Sequence, residues 1–303
     1  MDLVAIGTIG YDSIETPTGK ADKQLGGTAV YLCLAASYFC KVGMVAASGK
    51  DFLQEHLDLL TGKGVDLEGV QHLAGDTFHW GAKYHQDLNV RDTLFTHLNV
   101  LLDFTADLPP AYREAPFYFL GNIDPALQMH VIEQAKNPVF IGMDTMNYWI
   151  NSEKYRPNLM RVLEKTQGIF VNDEEARDLS GEYNLVKAAN EIRKMGPEHI
   201  VIKKGEHGAM LFSEGDIFYA PAFPLEVVHD PTGAGDSFAG GFMGYLTTQK
   251  RINNKVLREA MIYGSALASY TVEDYSVNRV ASLENQHVDK RYQEFSNLMS
   301  FGK

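Results

Sequence analysis

The stretch from His229 to Phe242 reads H-D-P-T-G-A-G-D-S-F-A-G-G-F and joins a glycine-rich turn, a helix start and a carboxylate. Pro231 and Thr232 are poor helix residues, and Gly233 and Gly235 reach backbone angles closed to other residues. The small and apolar residues from Ser237 to Leu246 suit a buried helix. Asp236 therefore falls at a helix N-terminus, where backbone N–H groups lack partners and the macrodipole favours negative charge. A phosphate fits such a place. A carboxylate beside it would repel that phosphate unless the two share a proton or a cation, and phosphoryl transfer resolves the conflict. The N–H groups of Gly233, Ala234, Gly235 and Asp236 would hold the charge developing on the transferring group, while the Asp236 carboxylate takes the proton of an attacking hydroxyl. The helix end is expected to keep Asp236 ionised. Standing alone, G-x-G-D would be read as a turn followed by an N-cap aspartate.

The context favours the chemical reading. D-P-T-G-A-G-D-S-F-A-G-G-F resembles the C-terminal signature of the PfkB, or ribokinase-like, family of carbohydrate and nucleoside kinases. That family's other signature, two glycines opening an alanine-rich helix near the N-terminus, is matched in kind and position by Gly26, Gly27 and the run Thr28 to Phe39. Asn172-Asp173-Glu174-Glu175 resembles its N-x-x-E, so that the resemblance runs from Gly7 to about Ala268. It implies an α/β fold with a mostly parallel central sheet flanked by helices and a small β-sheet lid, and an ATP- and magnesium-dependent kinase acting on an alcohol. Asn172 and Glu175 would organise Mg2+ through its waters, and hard oxygen ligands suit that ion. K-K-G-E-H-G resembles the nucleotide-side loop: Gly205 and Gly208 would let it turn close to ATP, and Lys203 or Lys204 would reach a phosphate or else remain solvated. Gly264, Ser265 and Ala268 would flank the adenine, and Asp230 and Thr232 are candidates for a monovalent cation such as K+. The asparagine usual four residues past the second glycine is Tyr31 here, replacing one polar contact by an aromatic.

These residues need elements to hold them. Leu3 to Gly7 is a short apolar run that reads as a central strand, with Asp12 following at its C-terminal end, where ligands of open α/β sheets bind. Asp12 is thus a candidate for holding substrate hydroxyls, and the turn at Gly26 and Gly27 would let a substrate approach the backbone. Ile14 to Lys23 looks like an irregular hairpin. Val42 to Gly49 reads as a strand, and Phe52, Leu53, Leu57 and Leu60 as the core stripe of a helix. Thr77 to His85 alternates with period two, setting Phe78, Trp80, Ala82 and Tyr84 on one face, and Arg91 to Val100 could return antiparallel to it. Segments at about 13–24 and 76–100 then form a lid that excludes water, or a dimer contact. Phe117 to Gly121, Val139 to Asp144 and Gly168 to Asn172 read as strands followed by helices, hence a parallel sheet within one domain over residues 1–303. Asn122 and Asp144 end two of these strands and could line the substrate side. His199 to Lys203 is a further strand and Ala260 to Val272 a small-residue helix.

Composition narrows the classes. A formal net charge of −12 argues against nucleic acid or an anionic membrane surface as partner. The opening M-D-L-V-A-I-G lacks the basic start of a signal peptide, so a cytoplasmic protein is expected. Cys33 and Cys40, read on one helix, would sit about 10 Å apart, beyond a disulfide. Neither a dinucleotide fingerprint nor a P-loop is spaced correctly. The expected acceptor is a small sugar, phosphorylated on a hydroxymethyl group, with a nucleoside as the alternative. The residues do not choose between them, since Tyr31, Phe78, Trp80 and Tyr84 could stack on a base or equally line a sugar pocket or a dimer seam, and a non-catalytic sugar-binding protein on the same fold ranks below both.

Overall fold

In the first strand, β1 (Leu3–Ile6), every residue is buried, and successive side chains enter different cores: Leu3 and Ala5 one, Val4 and Ile6 the other. A strand covered on both faces must read as a continuous apolar run, and so β1 does. The computed structural model describes residues 1–300. After β1 come β2 (Gly10–Thr16), β3 (Gly19–Gly26), helix α1 (Thr28–Ala36), β4 (Val42–Ser48), α2 (Gln54–Gly62), β5 (Asp66–His72), β6 (Phe78–Tyr84) and β7 (Arg91–His97). The middle of the chain gives β8 (Phe117–Leu120), α3 (Pro125–Gln134), β9 (Phe140–Asp144), α4 (Asn147–Ile150), α5 (Arg156–Leu163), β10 (Gly168–Asn172), α6 (Asp173–Ser180) and α7 (Leu185–Lys194). The remainder supplies β11 (His199–Lys203), β12 (Ala209–Ser213), β13 (Asp216–Ala220), α8 (Ala234–Thr247), α9 (Asn254–Thr271), α10 (Asn278–Ala281) and α11 (Asn285–Leu298).

The large sheet runs β13-β12-β11-β10-β9-β8-β1-β4-β5. It is parallel from β5 through β11, and β12 and β13 close one edge antiparallel. The chain crosses from β1 to β4 on one side and later places β8 on the other, so the strand order reverses beside β1. Ligands bind in such crevices at strand C-termini. A second sheet, β3-β2-β6-β7, stands over that end; β2 pairs antiparallel with β3 but parallel with β6. This is the lid. Asp12 lies in β2, inside the lid sheet rather than in a loop after β1, because the strand resumes at Gly10.

One face of the large sheet carries α1, α8, α9 and α11, the other α3, α5, α6 and α7. The first face depends on glycine. A Cβ on Gly240 would collide with the carbonyl of Leu32 in α1; one on Gly241 would lie 2.8 Å from the carbonyl of Tyr263, and one on Gly264 2.7 Å from that of Phe238. Three helices thereby meet backbone to backbone.

Other expectations change. α1 stops at Ala36 instead of reaching Phe39, leaving Cys40 beyond it; both cysteines are free thiols, Cys33 buried. The stripe of α2 is shallower than expected: Leu53 is 50% exposed, Phe52 and Leu57 are partly buried, and Leu60 is the helix's fully buried residue. That helix sits at the sheet margin, where half a stripe suffices. Among the described residues no helix is long and apolar enough to cross a membrane.

Gly240→Ala should destabilise the protein by about 1–3 kcal/mol, since overpacking against the Leu32 carbonyl outweighs the helix propensity of about 1 kcal/mol gained. Gly62→Ala, with nothing within 4 Å of the new methyl, should instead stabilise by up to about 1 kcal/mol. Denaturant midpoints read both, and equal effects would refute the packing role.

Candidate active site

The turn before α8 carries Gly233 at φ 74°, the left-handed region open to glycine. Space forbids a side chain there as well, because its Cβ would strike the ring of Tyr31. Tyr31 is 1% exposed and its hydroxyl has no hydrogen-bond partner. Its ring therefore supports the loop from below, correcting the expectation of an aromatic wall against the substrate. Asp230 Oδ1 accepts from the Thr232 N–H at 2.9 Å, and the Thr232 hydroxyl donates to Tyr84 Oη at 3.2 Å. The pair considered for a monovalent cation is in this way bonded within the loop and to the lid.

Asp236 stands in the first turn of α8, partly open to the cleft. Lys203, at the end of β11, reaches across the same opening: its Nζ lies 3.2 Å from Asp144 Oδ2 and 2.9 Å from where a Cβ on Gly235 would be. An ammonium over the bare backbone of Gly235 makes a cradle for an anion, with helix N–H groups as its floor. Burial lowers the proton affinity of Lys203, but the charges of Asp144, Glu175 and Asp236 more than compensate and raise it. Lys203 stays charged. Asp144, considered for the substrate side, is paired with Lys203.

The carboxylates around this opening repel one another. Burial, then the charge of Asp144, pushes Asp236 up to about 7 against Lys203 and the nearby Thr28 hydroxyl. The expectation that the helix end keeps Asp236 ionised is overturned, since desolvation and a like charge exceed the dipole. Asp12, 5% exposed, is pushed up to about 8 by burial and by Asp230 and Asp236, with the Gly27 N–H opposing. A Cβ on Gly26 would clash with its carboxyl, and Gly27 holds φ 99° beside the Thr8 carbonyl, so both glycines make room for Asp12 and for the turn.

Asn172 and Glu175 form a capping box: the Asn172 N–H donates to Glu175 Oε2 at 2.8 Å and the Glu175 N–H to Asn172 Oδ1 at 2.7 Å. Burial and Asp144 push Glu175 up to about 7, opposed by Lys203, the Asn172 N–H and Arg91. Structural capping thus accounts for half of each side chain. Gly205 and Gly208 turn the loop after β11 with φ 53° and 83°, and Asn89 of the lid abuts Gly205. Lys204 points instead over the Tyr219 ring, 5.9 Å away. On α9, Gly264 and Ser265 are buried, Gly264 against α8, which leaves Ala268 partly open. Asn122 Oδ1 accepts from Trp149 Nε1 at 2.8 Å, and its amide donates to Met146 Sδ at 3.2 Å. Trp80 is half-buried on the inner face of the lid with Ile14, Ala82 and Tyr84.

Sequence reasoning assigned no site role to Thr28, Arg91 or Trp149. Thr28 reads only as the first residue of the helix after Gly26 and Gly27, whereas Arg91 and Trp149 stand in no readable motif and are positioned by β7 and α4.

A parallel sheet with a lid over its switch point, and an anion cradle beside a carboxylate of raised proton affinity, define a small-molecule phosphotransferase of ribokinase-like fold. The family model described as pfkB family carbohydrate kinase matches residues 2–283, and the chain belongs to that family. It is a kinase that phosphorylates a hydroxyl group. Among similar proteins is a cytidine kinase of Thermococcus kodakarensis, 30% identical over 249 residues that make up 81% of this chain and 88% of that protein. The structure of Burkholderia thailandensis nucleoside kinase in complex with inosine superposes with TM-score 0.78 at 20% identity, covering 97% of this chain and 99% of that one. That of aminoimidazole riboside kinase from Salmonella enterica, complexed with aminoimidazole riboside and an ATP analog, gives TM-score 0.75 at 18% identity, with coverage of 96% and 100%.

The crowding has a thermodynamic sign. Asp12 titrates near 8 when folded and near ~4 when unfolded. Its contribution to stability is complete below about pH 4 and is lost as pH rises through about 8. Asp12→Asn should therefore raise Tm by several degrees at about pH 8.5 and hardly at all at about pH 4.5. An equal Tm change at both pH values would disprove the buried, protonated state.

Proposed function

We propose that the protein transfers the γ-phosphoryl group of ATP to a hydroxymethyl oxygen of a nucleoside, with Asp236 as general base. Asp236 carries this reading. Its carboxyl titrates near 7, the range in which a base is both free to accept a proton and strong enough to take one. It also borders the N–H groups of the loop and the Lys203 ammonium. An acceptor hydroxyl placed against Asp236 gives up its proton as its oxygen forms the bond to phosphorus. The N–H groups of Gly233, Ala234 and Gly235, with Lys203, hold the negative charge that builds on the transferred group.

ATP, when bound, supplies the phosphoryl group, and the unobstructed backbone at Gly235 fits its phosphate chain. Its adenine would lie between the Gly205–Gly208 turn and α9 near Ala268. Glu175 keeps one oxygen outside its capping bond and would hold Mg2+ through water with Asn172. Among the described residues no cluster of three acidic, histidine or cysteine side chains could cage a metal by itself, and magnesium characteristically retains most of its water. Asp12, within the lid and over Gly26 and Gly27, would accept hydrogen bonds from the acceptor's hydroxyls.

Similarity to the cytidine kinase over most of the chain moves the nucleoside ahead of the sugar. Trp80, on the inner face of the lid, gives a base a surface to stack on. A small sugar is the second reading, favoured by Asp12 and the glycine turn, which would hold either acceptor's hydroxyls alike.

Asp236→Asn should keep its ATP affinity and lose roughly 10²–10⁴ in kcat; near-normal turnover would remove it from the mechanism. In the parent enzyme kcat/KM should fall as pH drops through about 7, the limb vanishing in that variant. Gly235→Val should weaken ATP binding by displacing Lys203 and covering the N–H groups. Product formation across cytidine, inosine, other nucleosides and small sugars settles the acceptor, and higher kcat/KM on a sugar would reverse the assignment.

A further inference from the structure

Inside the cleft, Lys203 faces Asp144, Glu175 and Asp236, and a polyphosphate must enter the same opening. More positive charge is needed than the large sheet supplies. The lid holds a candidate. Tyr84 and Arg91 form the last rung between β6 and β7, so their side chains share one face. That face is turned to the large sheet, because the Tyr84 hydroxyl receives the Thr232 hydrogen bond at the phosphate loop. Beyond the rung the turn places Asn89 against Gly205 in the nucleotide-side loop. Arg91 is thereby suspended between the phosphate loop and the nucleotide loop, the two walls between which a phosphate chain would run.

Its guanidinium is free to act. It is exposed, and among the described residues it makes no ion pair and no side-chain hydrogen bond; it lies over the Trp80 ring, 5.8 Å away. Its charge bears on the site, favouring the ionised form of Tyr84 on the same rung.

We propose that Arg91 is a catalytic residue carried by the lid, its guanidinium meeting the phosphates of the nucleotide and the transferred group once donor and acceptor are in place. The inference rests on the phosphotransfer reading of the site. A planar fork of donors suits phosphate oxygens, and placing it on the lid ties the charge that transfer requires to the position that excludes water. The metal and Lys203 serve the nucleotide from the large sheet; Arg91 serves it from the opposite side.

Arg91→Gln should lower kcat by roughly 10²-fold or more, as arginine contacts to transferring phosphoryl groups do, with the acceptor KM within about threefold of the parent. The Kd for a non-hydrolysable ATP analogue, measured by calorimetry with acceptor present, should rise about tenfold, or ~1.4 kcal/mol. Arg91→Lys should fall between. Millimolar guanidinium should restore part of the kcat of Arg91→Ala and leave the parent unchanged, which a packing role beneath Trp80 could not produce. The proposal is overturned if Arg91→Gln keeps its kcat and analogue Kd while Asp236→Asn is inactive, or if its loss lies in acceptor KM alone. A parent that transfers phosphate to no nucleoside or sugar would overturn the reading beneath it too.

Discussion

Mutual repulsion among carboxylates at the open end of α8 governs the site. Asp236 belongs to two groups at once, one with Asp12 and Asp230 and the other with Asp144, Glu175 and Lys203. Neither group can be fully ionised while buried, so protons are held where a free carboxyl would release them. The same repulsion that costs stability keeps the Asp236 carboxyl titrating near neutrality. Rigid surroundings are required to keep such groups together, and the glycine contacts among α1, α8 and α9 supply them.

The division of labour between the sheets follows from topology. The large sheet presents helix ends and strand ends: the Gly233–Asp236 turn, Lys203 and the Asn172–Glu175 capping box. The lid contributes Asp12, Trp80, Tyr84 and Arg91 from strands tied to the large sheet through short segments and the longer run 98–116. A hydroxyl-to-hydroxyl contact, Thr232 to Tyr84, and the packing of Asn89 on Gly205 hold it over the site. Such contacts are weak enough to open and specific enough to close in one register.

Much of this was legible in the sequence for identifiable reasons. Central strands buried on both faces read as apolar runs, and β10 and β11 begin and end where that reading puts them. The phosphate loop is local, so its glycines and Asp236 reveal themselves in a few residues. What a side chain does at long range was hidden. Tyr31 resembled a substrate contact because its position in the motif is a contact position; only the tertiary fold shows its ring beneath Gly233. Gly264 looked like a ligand flank and proves to be a helix contact. Asp144 could not be assigned to Lys203 across distant stretches of sequence, nor the titration of Asp236 foreseen without knowing its burial.

The notch that receives α8 also sets a timetable. From Ala29 to Ala36, α1 is buried on every side, and part of what buries it is a helix that begins at Ala234. At roughly 5–20 residues per second, a ribosome needs about 10–40 s to reach that helix after finishing α1. For that interval an apolar rod with glycine-sized neighbours still missing is left beside a half-made sheet. A slow stretch of translation before Ala234 would lengthen the exposure.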